Sequence, residues 1–393
     1  MVILETLLGA SVVLWLGLAI FWFWSARGAT ILRPDDTSAR LHPWPKVSII
    51  VPARNEAEVL PAALASLLRL EYPDYEVIVV DDVSTDGTGR IADEWAASPE
   101  ARGRLRVIHN REVASGWSGK VHALSLAARA VTGEWILATD ADVAFHPVVL
   151  RVAMSLASQK NAQLLSLTPQ MEFVGFWESV VLPAFTLLIF TLYPLRLVNR
   201  PDFPRAIASG AFILMRRQDF EALGGYEPIK NAVIEDVRIA EHFKRHGRRI
   251  FLALGGGLLR TRMYSSVGEM WEGLSRSAFE GTGFSVAKIF VGVTVGAVSC
   301  VLPWAAALVL LSRGAFQGLV LRGDVALGLA VVACVESILI YLPVFLLLRV
   351  PVVYAFTLPL AALFYSGVAL NSMLKSVFGG GVTWKGRHYR PPR

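Results

Sequence analysis

Long uncharged apolar stretches occupy both ends of the chain, and between them short apolar runs alternate with residues at helical spacing. Val2 to Trp24 carries Glu5 as its one charge, and roughly 20 apolar residues suffice to cross a bilayer. It has neither a basic leading region nor a small-residue cleavage site, so a retained anchor is expected at 1–24. Three further spans are expected at Ile289–Leu311, Val325–Leu348 and Pro351–Leu374. Glu336 lies inside the second of these; a carboxylate costs free energy in lipid, so it is expected to face other helices.

The central pattern reads as an α/β domain. Val47 to Val51 makes a first strand, ended by Pro52-Ala53-Arg54-Asn55-Glu56; Val59, Ala63, Leu64, Leu67 and Leu68 then recur at helical spacing. Glu76–Val80, Leu105–Ile108 and Glu134–Ala138 read as strands. Asp86-Gly87 turns the chain into a helix through Ile91 and Trp95, and Gly116-Trp117-Ser118-Gly119-Lys120 leads into a helix over Val121–Val131. Such alternation predicts a mostly parallel, Rossmann-like sheet with crossover helices. Ligands of open α/β sheets bind beyond the carboxyl ends of the strands, where Glu56, Asp81, Asp82, Asp140 and Asp142 fall.

A further apolar segment, Ser179 to Leu195, cannot cross the membrane without separating Asp236 from Asp142. It must lie on the bilayer or pack in protein, interrupted by Pro183 and Pro194, with Trp177, Phe185, Phe190 and Tyr193 as interfacial aromatics. Two readings stand side by side: a seat for a lipid acceptor, or a core helix covering the sheet.

Composition agrees with a membrane protein: 54% of the 393 residues are hydrophobic and the mean hydropathy is +0.49. Arg27, Arg33, Arg40 and Lys46 follow the first span and no basic side chain precedes it. The positive-inside rule then puts residues 25–285 in the cytoplasm of a multi-pass membrane protein. The tail 375–393 holds five Lys or Arg and no acid, which also points to the cytoplasm. Four full spans would put it outside, so either one apolar segment is re-entrant or the tail is an exception. Net charge of +6 fits attraction to anionic lipid better than nucleic-acid binding, because the basic residues crowd the span ends. Cys300 and Cys334 sit in apolar spans and read as packing residues.

The chemistry is carried by acidic stations. Asp140-Ala141-Asp142 ends a buried strand, Asp81-Asp82 ends another, and Ile234-Glu235-Asp236-Val237 follows downstream. Neither a Gly-x-Gly-x-x-Gly fingerprint nor a P-loop is present, which leaves carboxylates as the main handles for a nucleotide. Asp81 and Asp82 suit hydrogen bonds from a base or ribose, and Asp140 with Asp142 suits a hard divalent cation. Asp86 reads as a turn and helix-cap residue. Arg54 reads equally as a diphosphate contact or a surface ion pair. Asp236 could be a helix N-terminal charge instead of a base, and Lys120, unfavourable at a helix start, suggests a functional reason. Histidines 109, 122, 146, 242 and 246 form no metal spacing with cysteine and read as structural.

The series Pro52-Ala53-Arg54-Asn55-Glu56, Val80-Asp81-Asp82-x-Ser84-x-Asp86-Gly87-Thr88, Thr139-Asp140-Ala141-Asp142 and Glu235-Asp236 resembles the family 2 glycosyltransferases of GT-A fold over residues 46 to about 285. Gly116–Lys120, the apolar insert after Phe173 and the placing of the spans are most similar to the hopene-associated (HpnB-type) members. The resemblance implies an anchor at 1–24, a catalytic domain at 46–285 with an interfacial segment at 174–198, C-terminal helices at 286–374 and a basic tail. It implies that Pro52, Arg54, Glu56, Asp81, Asp82, Lys120, Asp140 and Glu235 hold a nucleotide-sugar donor, expected to be a UDP-sugar. It further implies that Asp142, with Asp140, binds Mg²⁺ or Mn²⁺, and that Asp236 is the base of an inverting transfer to a membrane lipid, a hopanoid by that similarity. Processive synthases carry Gln-x-x-Arg-Trp after the Glu-Asp motif; the corresponding region here reads Trp271 to Phe279 with Arg276 in it. That departure weighs against the alternative of a polymer synthase. A non-catalytic nucleotide-binding module is the other alternative.

Overall fold

The computed structural model describes residues 1–36, 43–317, 325–379, 382–384 and 387–389; Arg40 and residues 380–381, 385–386 and 390–393 of the basic tail lie outside these. In chain order the elements are α1 (Val2–Ala26), β1 (Val47–Ala53), α2 (Leu60–Leu67), β2 (Tyr75–Asp82), α3 (Thr88–Ala96), β3 (Leu105–Asn110), α4 (Gly119–Ala128), β4 (Trp135–Ala138), β5 (Val143–Phe145), α5 (Val149–Lys160), β6 (Leu164–Thr168) and β7 (Gln170–Met171). There follow α6 (Phe176–Leu192), α7 (Leu195–Val198), β8 (Ile213–Arg216), α8 (Arg217–Ala222), α9 (Glu235–Arg245), β9 (Ile250–Leu254), β10 (Leu259–Thr261), α10 (Val267–Gly281), α11 (Val286–Gly296), α12 (Leu302–Gln317), α13 (Val325–Leu348) and α14 (Leu358–Val377). Contacts divide the chain into two units. One comprises Gly28–Glu172 and Leu195–Met263; the other comprises Met1–Arg27, Phe173–Pro194 and Tyr264–Arg393.

The first unit is built on a seven-stranded sheet ordered β3-β2-β1-β4-β8-β6-β9. All neighbours are parallel except β8, which runs antiparallel to both β4 and β6. β1 reads as a continuous apolar run because both faces are covered: Val47, Ile49, Ile50 and Val51 are each 0% exposed. Burying each such side chain stabilises by roughly 1.5–3 kcal/mol. Pro52 follows the last register pair between β1 and β4, Ile50 with Ala138, so its missing N–H costs that ladder nothing. The strand order reverses between β1 and β4, so their carboxyl ends open the crevice in which ligands of such sheets bind. A second, three-stranded sheet, β5-β10-β7, lies just beyond the end of β4. The expected α/β architecture with a mostly parallel sheet is what is seen.

The second unit is helical. Val2–Ala26, Val286–Ser312, Val325–Leu348 and Val352–Val377 are long and apolar enough to cross a membrane, close to the four spans expected. The second span is interrupted by a π-helical turn at Ala297–Val301. The cause is visible in the sequence: Pro303 has no N–H to offer the carbonyl of Ser299 four residues earlier. That carbonyl instead accepts from Trp15 Nε1 at 3.0 Å and from Ser11 Oγ at 3.4 Å, pinning α1 to the turn. Glu336 is half-buried on α13, and its Oε2 is enclosed without a hydrogen-bond partner among the described residues. Cys300 and Cys334 are free thiols, half-buried among apolar side chains.

One expectation is corrected. Pro183 does not interrupt the apolar insert: α6 runs through it as one helix, and only Pro194 stands at the break before α7. A proline removes one internal hydrogen bond but leaves the turns on either side intact where packing supports them. Helix α6 belongs to the helical unit, packing on α13 and α14 and placing Val180 to Pro183, Thr186 and Leu187 inside. Helix α10, within the 46–285 range read as catalytic domain, also clusters with this unit, Asn371 Nδ2 on α14 donating to Ser275 Oγ at 3.0 Å.

Candidate active site

The loops after β1 and β2 are laced into one rim. Asn55 Oδ1 accepts from Thr85 N at 2.9 Å, Glu56 N donates to Thr88 Oγ1 at 2.8 Å and Ala57 N donates to Asp86 Oδ2 at 3.0 Å. Asp86 also accepts from the Thr88 amide and hydroxyl at 3.0 and 2.6 Å. Partial burial works against its charge, yet these hydrogen bonds, led by that of the Thr88 hydroxyl, hold its carboxyl below the usual range. It is the turn residue expected. Arg54 Nη1 donates to the carbonyls of Asp82 and Val83 at 2.8 and 2.9 Å, which seats it against the rim. The rim is strained: Val83, β-branched, sits at φ 58°, and Asn55 at φ 52°. Such backbone is held only where the surroundings over-determine it, and Arg54 supplies part of that hold.

Asp81 and Asp82 are neighbours in β2, so their side chains leave opposite faces of the sheet. The parallel register with β3 sets Asp81 beside His109 and Asp82 beside Asn110. Asp81 Oδ2 lies 3.3 Å from His109 Nδ1, and its Oδ1 accepts from Ser84 N at 3.2 Å. Asp82, 2% exposed, accepts from Asn110 Nδ2 at 2.8 Å, and that amide also lies 3.3 Å from His122 Nδ1.

The centre of the site lies past β4. Lys120, in the first turn of α4, reaches between two carboxylates: its Nζ is 2.6 Å from Asp140 Oδ1 and pairs with Glu235 Oε1. Desolvation works against its charge, but Asp140 and Glu235 outweigh it and hold the ammonium ionised well above the ordinary lysine range. Gly210 packs against this pair, where a Cβ would come within 2.8 Å of Asp140 Oδ2 and 3.3 Å of Lys120 Nζ. Thr139, Tyr226, Glu235 and Ile239 line the same crevice. Tyr226 is buried there, its ring edge-on to Phe220 at 4.9 Å. Burial and the Glu235 charge raise its hydroxyl above the usual tyrosine range. Beneath the start of α4, Ser118 N donates to Lys230 O at 2.7 Å, while the Ser118 hydroxyl is buried with no partner among the described residues.

Asp142 stands beyond Asp140, and its Oδ2 accepts from Thr261 Oγ1 of β10 at 3.1 Å. Burial first, then the charges of Asp140 and Glu56, push its carboxyl up to about 7. Asp236 opens α9 next to Glu235, with Oδ1 accepting from the adjacent Val237 N at 2.8 Å. A helix N-terminus favours a carboxylate; here burial, then the Glu235 charge, prevail and raise Asp236 to about 7.

The structure thus gathers Glu56, Lys120, Asp140, Asp142, Glu235 and Asp236 into one electrostatic cluster, places Asp81 on the rim through Ser84, and turns Asp82 to the other face. Pro52 and Arg54 shape that rim. Sequence reasoning missed Gly210, Thr261, Tyr226 and His109. The Gly224-Gly225 pair before Tyr226, at φ 84° and 62°, is the one local signal that a side chain was being aimed there.

Residues 48–224 match the family model described as glycosyl transferase family 2. A 4,4'-diaponeurosporenoate glycosyltransferase of Staphylococcus aureus (strain USA300) is 25% identical over 356 residues, 87% of this chain and 88% of the relative. The enzyme of the same name from Staphylococcus haemolyticus (strain JCSC1435) is 25% identical over 265 residues, 65% of this chain and 67% of its own. The solved mannosyltransferase PcManGT from Pyrobaculum calidifontis, in complex with GDP-Man and Mn²⁺, has a similar fold. It superposes with a TM-score of 0.54 at 21% identity over 85% of this chain and 98% of its own. Residues 48–224 are thus a family 2 glycosyltransferase domain, and the sheet that carries them has the GT-A fold.

Proposed function

We propose that this enzyme moves a single sugar, with inversion, from a nucleotide-sugar donor to a membrane lipid at the cytoplasmic face of a bacterial inner membrane. The observation that supports this most is the convergence of Asp140, Asp142, Glu235 and Asp236 around Lys120 at the carboxyl end of β4.

The donor set fits a divalent cation shared with a substrate. Asp142 is crowded by Asp140 and Glu56, a like-charge cost that a hard cation relieves. Among the described residues no three His, Cys, Asp or Glu side chains stand close enough to hold a metal alone. Asp142 and Asp140 would therefore hold Mg²⁺ or Mn²⁺ together with diphosphate oxygens, leaving Asp140 divided between the cation and Lys120. When bound, such an ion supplies Lewis-acid stabilisation of the leaving diphosphate.

The chain's own residues do the rest. Asp81 accepts hydrogen bonds from the nucleoside, and the laced rim keeps the pocket open for it. Lys120 and the first turn of α4 offer positive charge where the leaving phosphate gains negative charge. Thr261 fixes the rotamer of Asp142. Asp236 takes the proton of the acceptor hydroxyl, a contribution of the order of 10²- to 10⁴-fold, and one displacement inverts the anomeric centre. Asp86, already saturated by Thr88 and Ala57, has no part in it.

The donor is read as a UDP-sugar from the family motifs, with the GDP-Man of PcManGT setting the competing candidate. The acceptor is read as a hopanoid from the HpnB-type similarity, and the diaponeurosporenoate named for the relatives is the acceptor to set against it. Membranes containing the protein, incubated with labelled UDP- and GDP-sugars and each acceptor and then extracted, should yield one labelled lipid that chelator abolishes. Label confined to a water-soluble polymer would overturn the lipid reading, and label insensitive to chelator the metal reading.

A further inference from the structure

Asp81 is held from two sides. Its Oδ1 accepts from the Ser84 amide at 3.2 Å, and its Oδ2 lies 3.3 Å from His109 Nδ1. The other ring nitrogen, Nε2, lies 3.1 Å from Asp93 Oδ1 on α3. Ionised carboxylates only accept hydrogen bonds, so an imidazole placed between two of them can donate to both only as the imidazolium, the form that this placing favours. The Asp81 hydrogen bond raises the proton affinity of His109 and desolvation opposes it, but with Asp93 added the balance lies above the ordinary histidine value. The other cation nearby on α3, Arg90, is engaged with Glu94. Space for the contact is made by Gly89, where a Cβ would come within 2.5 Å of Asp81 Oδ2 and 3.2 Å of His109 Cε1. The β2–β3 register sets Asp81 and His109 side by side.

We infer that His109, anchored by Asp93, is a positioning residue that fixes the Asp81 carboxylate for the nucleoside half of the donor; this rests on the reading that Asp81 binds that nucleoside. With one oxygen tied to a backbone amide and the other to an imidazolium, both side-chain torsions of Asp81 are set before the ligand arrives. Each oxygen keeps a lone pair for a base or ribose donor, and the ordering cost is met in advance. The imidazolium also offsets the repulsion between Asp81 and Asp93. Histidine at this position therefore acts on nucleoside recognition and not on the diphosphate, whose handles lie beyond β4.

The test is calorimetric titration of the full-length protein in detergent micelles with Mn²⁺ present, using UDP, GDP and inorganic pyrophosphate as separate probes. Against whichever nucleotide the wild type prefers, His109→Ala and Gly89→Ala should each weaken binding about ten-fold. Pyrophosphate affinity should stay unchanged, and His109→Gln, which keeps one donor, should fall between. Equal losses for nucleotide and pyrophosphate would overturn the inference by pointing to a general distortion. Weakened nucleotide binding in Asp81→Asn, with wild-type affinity in both His109→Ala and Gly89→Ala, would overturn it while leaving the Asp81 reading intact. Wild-type affinity in all three would overturn both.

Discussion

Lys120 Nζ lies 2.6 Å from Asp140 Oδ1 while the same ammonium pairs with Glu235. One cation thereby ties the end of β4 to the start of α9, joining the strand that carries the proposed metal ligands to the helix that carries the proposed base. Replacing it with methionine leaves Asp140 and Glu235 facing each other uncompensated. Lys120→Met should lower kcat by about 10²- to 10³-fold. Lys120→Arg should recover little, because a planar guanidinium cannot replace a point charge in the space that Gly210 leaves. Steady-state kinetics with a fixed acceptor would show this; full activity in Lys120→Arg would contradict it.

As the proposed base, Asp236 must be ionised to take a proton, and burial with the Glu235 charge raises it to about 7. The sign follows: below pH 7 the protonated, inactive form dominates, so kcat/KM should rise with pH and level off above about 7. Asp236→Asn should bind donor as the wild type does but transfer no sugar. A pH profile measured from 5.5 to 8.5, as a chosen range of about three units, would settle this; a flat profile would remove Asp236 from the base role.

At Gly210 the added methyl of Gly210→Ala meets Asp140 Oδ2 at 2.8 Å. The carboxylate must rotate away, which breaks its contact with Lys120. Activity should fall by roughly ten- to a hundred-fold with little change in thermal unfolding. Parallel loss of both would mean that the glycine serves folding and not the site.

Phe185 and Phe190 of α6 are not equivalent. Phe190 packs on Trp22 at 6.2 Å between ring centroids, beside the Trp22 Nε1 to Thr191 Oγ1 hydrogen bond of 3.0 Å. Phe190→Ser should therefore lower stability. Phe185→Ser should instead raise the KM for a lipid acceptor more than that for the nucleotide sugar, if α6 seats the lipid. Equal changes in both constants would withdraw that role.

Trp15→Phe removes the donor to Ser299 O and leaves the carbonyl that Pro303 cannot satisfy dependent on Ser11. A loss of about 0.6–1.7 kcal/mol is expected, the scale of polar contacts between membrane helices. Thermal unfolding in detergent would measure it, and Pro303→Ala should partly restore stability to the Trp15→Phe protein by returning an N–H to Ser299 O.

The sequence by itself determined the elements whose cause is local. The apolar run Val47–Val51 reads as a buried strand, Asp86-Gly87 as a turn, and four apolar stretches with at most one charge each were long enough to span lipid. The acidic stations were legible too, because in a parallel sheet the residues after each apolar run stand at the ligand-binding edge. What only the tertiary structure decided depends on partners far away in the chain. Asp81 and Asp82 looked like a matched pair, but strand geometry sends them to opposite faces, and their environments came from β3 and α4. Thr261 reaches Asp142 from β10, Glu235 reaches Lys120 from α9, and Pro183 stays inside a helix because α13 and α14 support it. None of these carries a local signature: they follow from the strand order β3-β2-β1-β4-β8-β6-β9, and that order is chosen by burial summed over the whole sheet.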